Sequence, residues 1–508
     1  MQALHINGND LTLEAVRDVA VADRSALLAP DARQAVDRAR GVVEELVAGD
    51  HVSYAITTGV GKLSDVRIAA HQIRELQVHL VRSHAVGVGD PLPVAETRAM
   101  MLLRANSLAK GYSGIRRRTL DLLIEMINRR VHPGVPSRGS VGASGDLAPL
   151  AHLALVLIGE GEASTGDAPA LVPGEAALRS AGLAPVALEA KEGLALINGT
   201  QASAAVGSLA LLASERLARA ADIGAALSID GLRGSYHPFE ARLHAPRAHA
   251  GQSASASNLF RLLQDSAINR SHANCGRVQD AYSMRCAPQV HGAARDAFAF
   301  ARRTLEIEAN AATDNPMVFA DAGDIVSGGN FHGAPIAIAA DVVVLGLLQL
   351  ATISERRSDR LVDSSLSGLP PFLTRESGLN SGYMLAQVTA AALVSELKTL
   401  AHPASADTIP TSANREDHVS MSMGAALKAE RAVQLATRVV AIEILLACQA
   451  IDLLAPLATS PSLAPVQACV RSVVPTLGDD RPPAPDIERI SQLITDRSVE
   501  RACAVEVK

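Results

Sequence analysis

The sequence predicts a mainly α-helical protein built on a bundle of long helices. Two observations carry this. Four stretches, 199–229, 334–354, 387–400 and 424–454, hold Leu, Val and Ala at helical spacing with few charges. Alternating strand patterns are almost absent, the clearest exception being ALHI at 3–6. Helices that are apolar nearly all round need partners on every side. They imply a thick bundle, or subunits that share one core.

The stretch at 334–354, APIAIAADVVVLGLLQLATIS, approaches the length of a membrane span. Asp341 and Gln349 interrupt it and a charged run follows, so a helix buried in protein is expected, with no membrane partner. A further apolar helix is predicted over 147–158, with Asp146 near its N-cap. The segment 161–190 is rich in Gly, Pro and Ala and reads as loops, with short strands within it as the alternative. RPPAP at 481–485 breaks the chain before a final short helix. The expected organisation is an N-terminal region over 1–198, a central long-helix bundle over 199–475 and a helical tail over 476–508.

At 508 residues and 48% apolar, the chain can bury a sizeable core. A net charge of -6, with 2% aromatic residues and no Trp, argues against a nucleic-acid partner. The five cysteines show no CxxC, which fits reduced thiols in a cytoplasm. The N-terminus shows no basic stretch followed by an apolar one, so no signal peptide is expected. His272 and Cys275 have metal-like spacing, but no second pair completes a zinc site, and no metal is expected.

One short stretch stands apart. GSVGASG at 139–145 holds only Gly, Ser, Ala and one Val, directly before an apolar helix. A nucleophile elbow needs G-x-S-x-G, and Asp146 breaks that pattern. A phosphate loop needs G-K-[ST], which is missing. These residues do suit a backbone cyclisation, in which the Gly145 nitrogen attacks the Ala143 carbonyl. Glycine removes the Cβ obstacle at the attacking position. Loss of water from the ring and from the Ser144 side chain leaves an electrophile that no ordinary side chain supplies.

The stretch 139–152 resembles the prosthetic-group signature of the aromatic amino acid ammonia-lyases, the histidine, tyrosine and phenylalanine enzymes. LALINGTQA at 194–202, RVQDAYSMRCAPQVHGA at 277–293 and ATDNPMVF at 312–319 are similar to further blocks of that family. So are GGNFHGAP at 328–335, SGLPPFL at 367–373 and AHPASADTIPTSANREDHVSM at 401–421. The resemblance implies the long-helix bundle of the fumarase/aspartase-like superfamily, with a small N-terminal loop-rich active-site region. The fumarase loop itself, G-S-S-x-M-P-x-K-x-N, is absent.

The resemblance also implies a 4-methylidene-imidazol-5-one formed autocatalytically from Ala143, Ser144 and Gly145, without metal. It implies a homotetramer whose active sites are shared between subunits. It places the catalytic base at Tyr54, within SYAITTGVGKLSD, and the substrate carboxylate at Arg285, whose guanidinium can bind carboxylate bidentately. Asn198 and Gln279 would add hydrogen bonds. Tyr282, Phe331 and Asn330 would line the prosthetic group.

For the substrate, His84 resembles the histidine enzymes but also occurs in tyrosine ones, and Glu416 matches the histidine enzymes where the others carry Gln. A carboxylate can accept from imidazole N–H. The expected reaction converts L-histidine to trans-urocanate and ammonia. Thr57-Thr58-Gly59 resembles the phenylalanine and tyrosine enzymes, which keeps those substrates, or a related aminomutase, as the alternative. An inactive helical scaffold is the remaining one. Arg415 stands beside Glu416 and could pair with it.

Overall fold

A computed structural model describes residues 1–49, 56, 58–59, 66–273 and 275–508. Contacts divide the chain into two units. The first combines Met1–Leu209, Arg302–Ala340 and Pro403–Leu427; the second combines Ala210–Ala301, Asp341–His402 and Lys428–Lys508.

The second unit holds the greater part of the four longest helices, Gln201–Gly231, Ala287–Ala309, Ala334–Val362 and Ser422–Leu453. Two of these are long and apolar enough to cross a membrane. Within their most apolar windows, 67% of Ala334–Val362 and 83% of Ser422–Leu453 is buried in the protein, which suits core helices. Ala334–Val362 runs past the apolar stretch because its charged end is paired. Arg357 is fully buried and forms an ion pair with Glu443, and Ser228 donates to the same carboxylate at 2.7 Å. A cation buried this deeply is tolerable only when so matched. Alongside, buried His291 sits with Nδ1 2.7 Å from Asp222, which Arg295 also engages at 2.6 Å.

The first unit carries shorter helices and small sheets. Leu4–Ile6 pairs in parallel with Ala26–Leu28. Between them lies the helix Leu13–Val21, which Thr12 caps by accepting from the Ala15 amide. Val88–Pro91 pairs antiparallel with Pro136–Arg138, which delivers the chain to Gly139. The segment expected to be loops, 161–190, is more ordered than its composition suggests. Glu162–Thr165 pairs with both Val131–Pro133 and Val172–Pro173, and a helix follows at Gly174–Ser180. These strands are too short to show a period, and one of their partners lies far away in sequence.

His132, in the strand Val131–Pro133, is 2% exposed. Burial, aided by the positive charges of Arg98 and Arg130, pushes its pKa down from 6.5 to about 4. Between those values the unfolded chain binds the proton and the folded chain does not, so stability falls as pH drops through that window. His132→Phe is expected to remove this loss, on the order of 2 kcal/mol at about pH 5. Thermal melts of both proteins at about pH 7 and pH 5 test it. Equal drops in Tm would exclude His132 as the source.

Candidate active site

The loop Gly139–Gly145 is held from three sides within the first unit. Its first partner is the segment after Ile197. Gly145 bridges Gly199 in parallel register, and the Asp146 amide donates to the Gly199 carbonyl at 2.7 Å. Gly145 has φ +68°, and a Cβ there would lie 2.1 Å from the Gly199 oxygen. Both conformation and closeness therefore demand glycine. The second partner is the segment ending at Gly333, whose amide donates to the Gly142 carbonyl at 3.2 Å. The third is the segment before Ser422. Ser420 Oγ donates to the same carbonyl at 2.8 Å, and the Met421 amide donates to Val141 O at 2.8 Å.

Asp146 stands at the N-cap of Leu147–Leu157, but its side chain does not cap that helix. The carboxylate turns back into the loop. It accepts from Ser140 Oγ at 2.7 Å, from the Ser203 amide at 2.7 Å and from Ser203 Oγ at 2.8 Å. It fixes loop and following helix together. Complete burial raises its pKa, outweighing these hydrogen bonds. Nearby Glu308, which accepts from Thr200 Oγ1, is raised by burial too.

Ala143 is buried and Ser144 half-buried. Ser144 Oγ donates to Glu416 Oε1 at 2.9 Å, and Thr411 Oγ1 donates to Glu416 Oε2 at 2.7 Å. Both carboxylate oxygens are thus engaged, by Ser144 and Thr411 and not by Arg415. The backbone of Glu416 bridges Thr411, and between them Ser412, Ala413 and Asn414 all have φ between 51° and 63°. Three consecutive non-glycine residues in the left-handed region mark strain held in place by the surroundings. Asn198 Nδ2 lies 3.4 Å from the Ser144 carbonyl, while its Oδ1 is buried without a hydrogen-bond partner among the described residues. Such an acceptor is costly unless something else uses it.

The structure brings Ala143, Ser144, Gly145, Asn198 and Glu416 together, and the hydrogen bond from Gly333 brings the Asn330–Phe331 segment alongside. Asn330 is exposed, with Nδ2 3.3 Å from Met317 Sδ, and Phe331 is half-buried. His332, next in the chain, stacks on His418 with centroids 5.8 Å apart. His84 ends the helix Ile73–His84, half-buried, with Nδ1 2.8 Å from Leu80 O. Ser83 Oγ lies 3.1 Å from the same nitrogen; in the tautomer that donates from Nδ1 to the Leu80 carbonyl, Nε2 is an acceptor.

Gln279, Tyr282 and Arg285 belong to the second unit. Arg285 lies over the Tyr282 ring at 4.7 Å, and its Nε donates to Asp280 O at 3.0 Å. Gln279 and Tyr282 are exposed. Gln279 and Arg285 line a cavity of about 800 Å³, to whose lining Arg233, Arg270 and Arg277 add positive charge. Tyr54 and Thr57 lie outside the described residues. Among the described residues no cluster of His, Cys, Asp and Glu could hold a metal. Thr411, Ser140 and Ser203 were not predicted. Their hydroxyls signal nothing in sequence, because their partners are set only by the fold.

A sequence profile described as aromatic amino acid lyase matches residues 11–472. The chain is 58% identical to the histidine ammonia-lyase of Koribacter versatilis over 494 residues, 95% of each chain. It resembles the solved structure of histidine ammonia-lyase from Trypanosoma cruzi with a TM-score of 0.92 at 42% identity, covering 99% of this chain and 95% of that one. It also resembles tyrosine aminomutase from Streptomyces globisporus, with a TM-score of 0.95 at 36% identity over the whole of both chains.

Proposed function

Because the chain belongs to the aromatic amino acid lyase family, we propose that it deaminates L-histidine to trans-urocanate and ammonia. The observation that carries the substrate is the Glu416 carboxylate, hydrogen-bonded to Ser144 at 2.9 Å and oriented by Thr411. The similarity to histidine ammonia-lyases over nearly the whole chain supports the same reading.

The residues present fit the family's methylidene-imidazolone. Gly145 sits in a cradle that a Cβ would fill, and the Asn198 Oδ1 beside it awaits a donor. Ala143, Ser144 and Gly145 are its source, and it supplies an electrophile that makes the substrate amine a leaving group. Asn198 orients what binds at Ser144. Arg285 holds the substrate carboxylate through its guanidinium fork, with Gln279 adding a hydrogen bond. Tyr54 takes the β-proton, which requires its pKa to fall below the usual value near ~10. Tyr282, Asn330 and Phe331 line the site. Glu416 accepts an imidazole N–H, and the Nε2 of His84 offers a second acceptor. Two acceptors suit an imidazolium better than a phenyl ring.

The same reading includes a homotetramer with shared sites. It is supported by the exposed Leu385 and Val388 on Met384–Leu400, which are 58% and 50% accessible.

Parallel assays of the purified protein with histidine, tyrosine and phenylalanine test the assignment. Preference for histidine in kcat/KM of roughly a hundredfold or more is expected, since a site built around polar acceptors rejects rings that leave them unpaired. A preference for tyrosine would overturn the substrate and leave the family standing.

A further inference from the structure

Behind the candidate site lies a charged side chain that the reaction does not use. Arg104 is fully buried in the helix Val94–Ala109. Only Nη1 is bonded: it donates to Asn198 O at 2.8 Å and to Gln201 Oε1 at 2.7 Å, with Thr313 O at 3.5 Å. Its Nε and Nη2 have no hydrogen-bond partner among the described residues. Burial lowers the guanidinium to about 10, offset in part by the charge of Asp314, so it stays cationic near neutrality. A buried cation with two unsatisfied nitrogens is a poor choice for stability alone. Local rules are broken in this way mainly where function requires it.

What Arg104 touches explains its presence. A Cβ on Gly199 would lie 2.3 Å from Arg104 Nη1, and a Cβ on Gly145 would lie 2.1 Å from the Gly199 oxygen. Arg104, Gly199 and Gly145 are therefore stacked as three layers in direct contact. Gln201 braces the first layer, donating from Nε2 to Thr313 Oγ1 at 2.6 Å. The Asp146 amide, bonded to the Gly199 carbonyl at 2.7 Å, ties the last layer to the following helix.

We infer that Arg104 is a positioning residue for formation of the prosthetic group: it presses the Asn198–Gly199 turn against Gly145 and holds the Ala143-Ser144-Gly145 backbone compressed for ring closure. The inference rests on the reading of those three residues as the precursor. In that closure the Gly145 nitrogen bonds to the Ala143 carbonyl carbon. The carbonyl oxygen leaves as water, taking the amide protons of Gly145 and Ser144, and a C=N bond to the Ser144 nitrogen forms. Ser144 then loses its Cα proton and its hydroxyl as a second water, leaving a Cα=Cβ bond. No oxidant or reductant is needed. Arg104 contacts none of the bonds that change and acts through the Asn198–Gly199 turn, to which it donates at Asn198 O.

The test is intact-mass analysis of freshly purified, folded wild type, Arg104→Met and Arg104→Lys, followed over time, with circular dichroism and Tm in parallel. Wild type should lack two water molecules. Arg104→Met should fold yet dehydrate roughly ten- to a hundredfold more slowly, the cost expected of a modest misplacement of reacting groups. Arg104→Lys, which restores the charge and one donor, should recover part of the rate. Wild type of full, undehydrated mass would overturn the precursor reading itself. A dehydrated wild type with Arg104→Met dehydrating equally fast would overturn the role of Arg104 alone. If neither variant folds, Arg104 serves folding and the inference is wrong.

Discussion

Ser144→Ala is expected to give a folded chain with turnover reduced by roughly a thousandfold or more, the scale of losing covalent electrophilic catalysis altogether. Alanine has no hydroxyl to lose, so the exocyclic double bond cannot form and the substrate amine stays a poor leaving group. The structural cost is small by comparison. Ser144 is half-buried and its side chain makes one hydrogen bond, to Glu416. Losing that bond costs about 1 kcal/mol, partly relieved by solvent. Activity and Tm should therefore separate: kcat collapses while the melting curve shifts by a few degrees. Intact mass supplies the independent readout, since the variant cannot lose the side-chain water. A variant retaining a large part of wild-type kcat would show that the Ala143-Ser144-Gly145 segment is an ordinary turn.

That segment also shows what the sequence makes legible. Its composition is odd enough to exclude familiar loops and to suggest a cyclising backbone. The long helices are legible for a simpler reason, because apolar residues at helical spacing dominate each of them. Prediction stops where pairing over long distances takes charge. Ala334–Val362 continues beyond its apolar stretch because Arg357 finds Glu443, and no local signal announces a partner 86 residues away. Asp146 looks like a helix cap by position, yet its carboxylate serves Ser140 and Ser203. Arg104 lies in a helix buried along nearly its whole length, where a sequence gives no reason to expect an arginine bonded to Asn198. The expectation that Glu416 recognises the substrate ring comes from the resemblance and the chemistry of a carboxylate. The engagement of that residue by Thr411, across a strained turn, is a product of the fold.

That engagement makes Glu416→Gln the second informative substitution. In the chain before dehydration, Glu416 Oε1 accepts from the Ser144 hydroxyl and Oε2 from Thr411. Removal of the Ser144 hydroxyl as water deprives Oε1 of its donor and leaves Oε2 anchored. On the proposed reading the carboxylate then presents one free acceptor in a fixed direction, next to the proposed prosthetic group. An imidazole N–H can fill it, and a phenyl ring cannot. Gln keeps the shape and can still accept through its amide oxygen, but it loses the charge. If Thr411 holds that oxygen, the amide points a donor where an acceptor is needed. A charged hydrogen bond contributes about 2–3 kcal/mol, which converts to a drop of roughly 30- to 150-fold in kcat/KM for histidine. Turnover of tyrosine or phenylalanine, slow at the outset, should change by about threefold or less, because neither ring uses the charge. The measurement is kcat/KM for all three amino acids in wild type and Glu416→Gln, with intact mass confirming that both chains are fully dehydrated. An equal fall for every substrate would assign Glu416 to the shared chemistry and remove it from recognition of the ring. A variant that fails to dehydrate would instead assign the Ser144–Glu416 hydrogen bond to maturation, and substrate choice would then rest on His84.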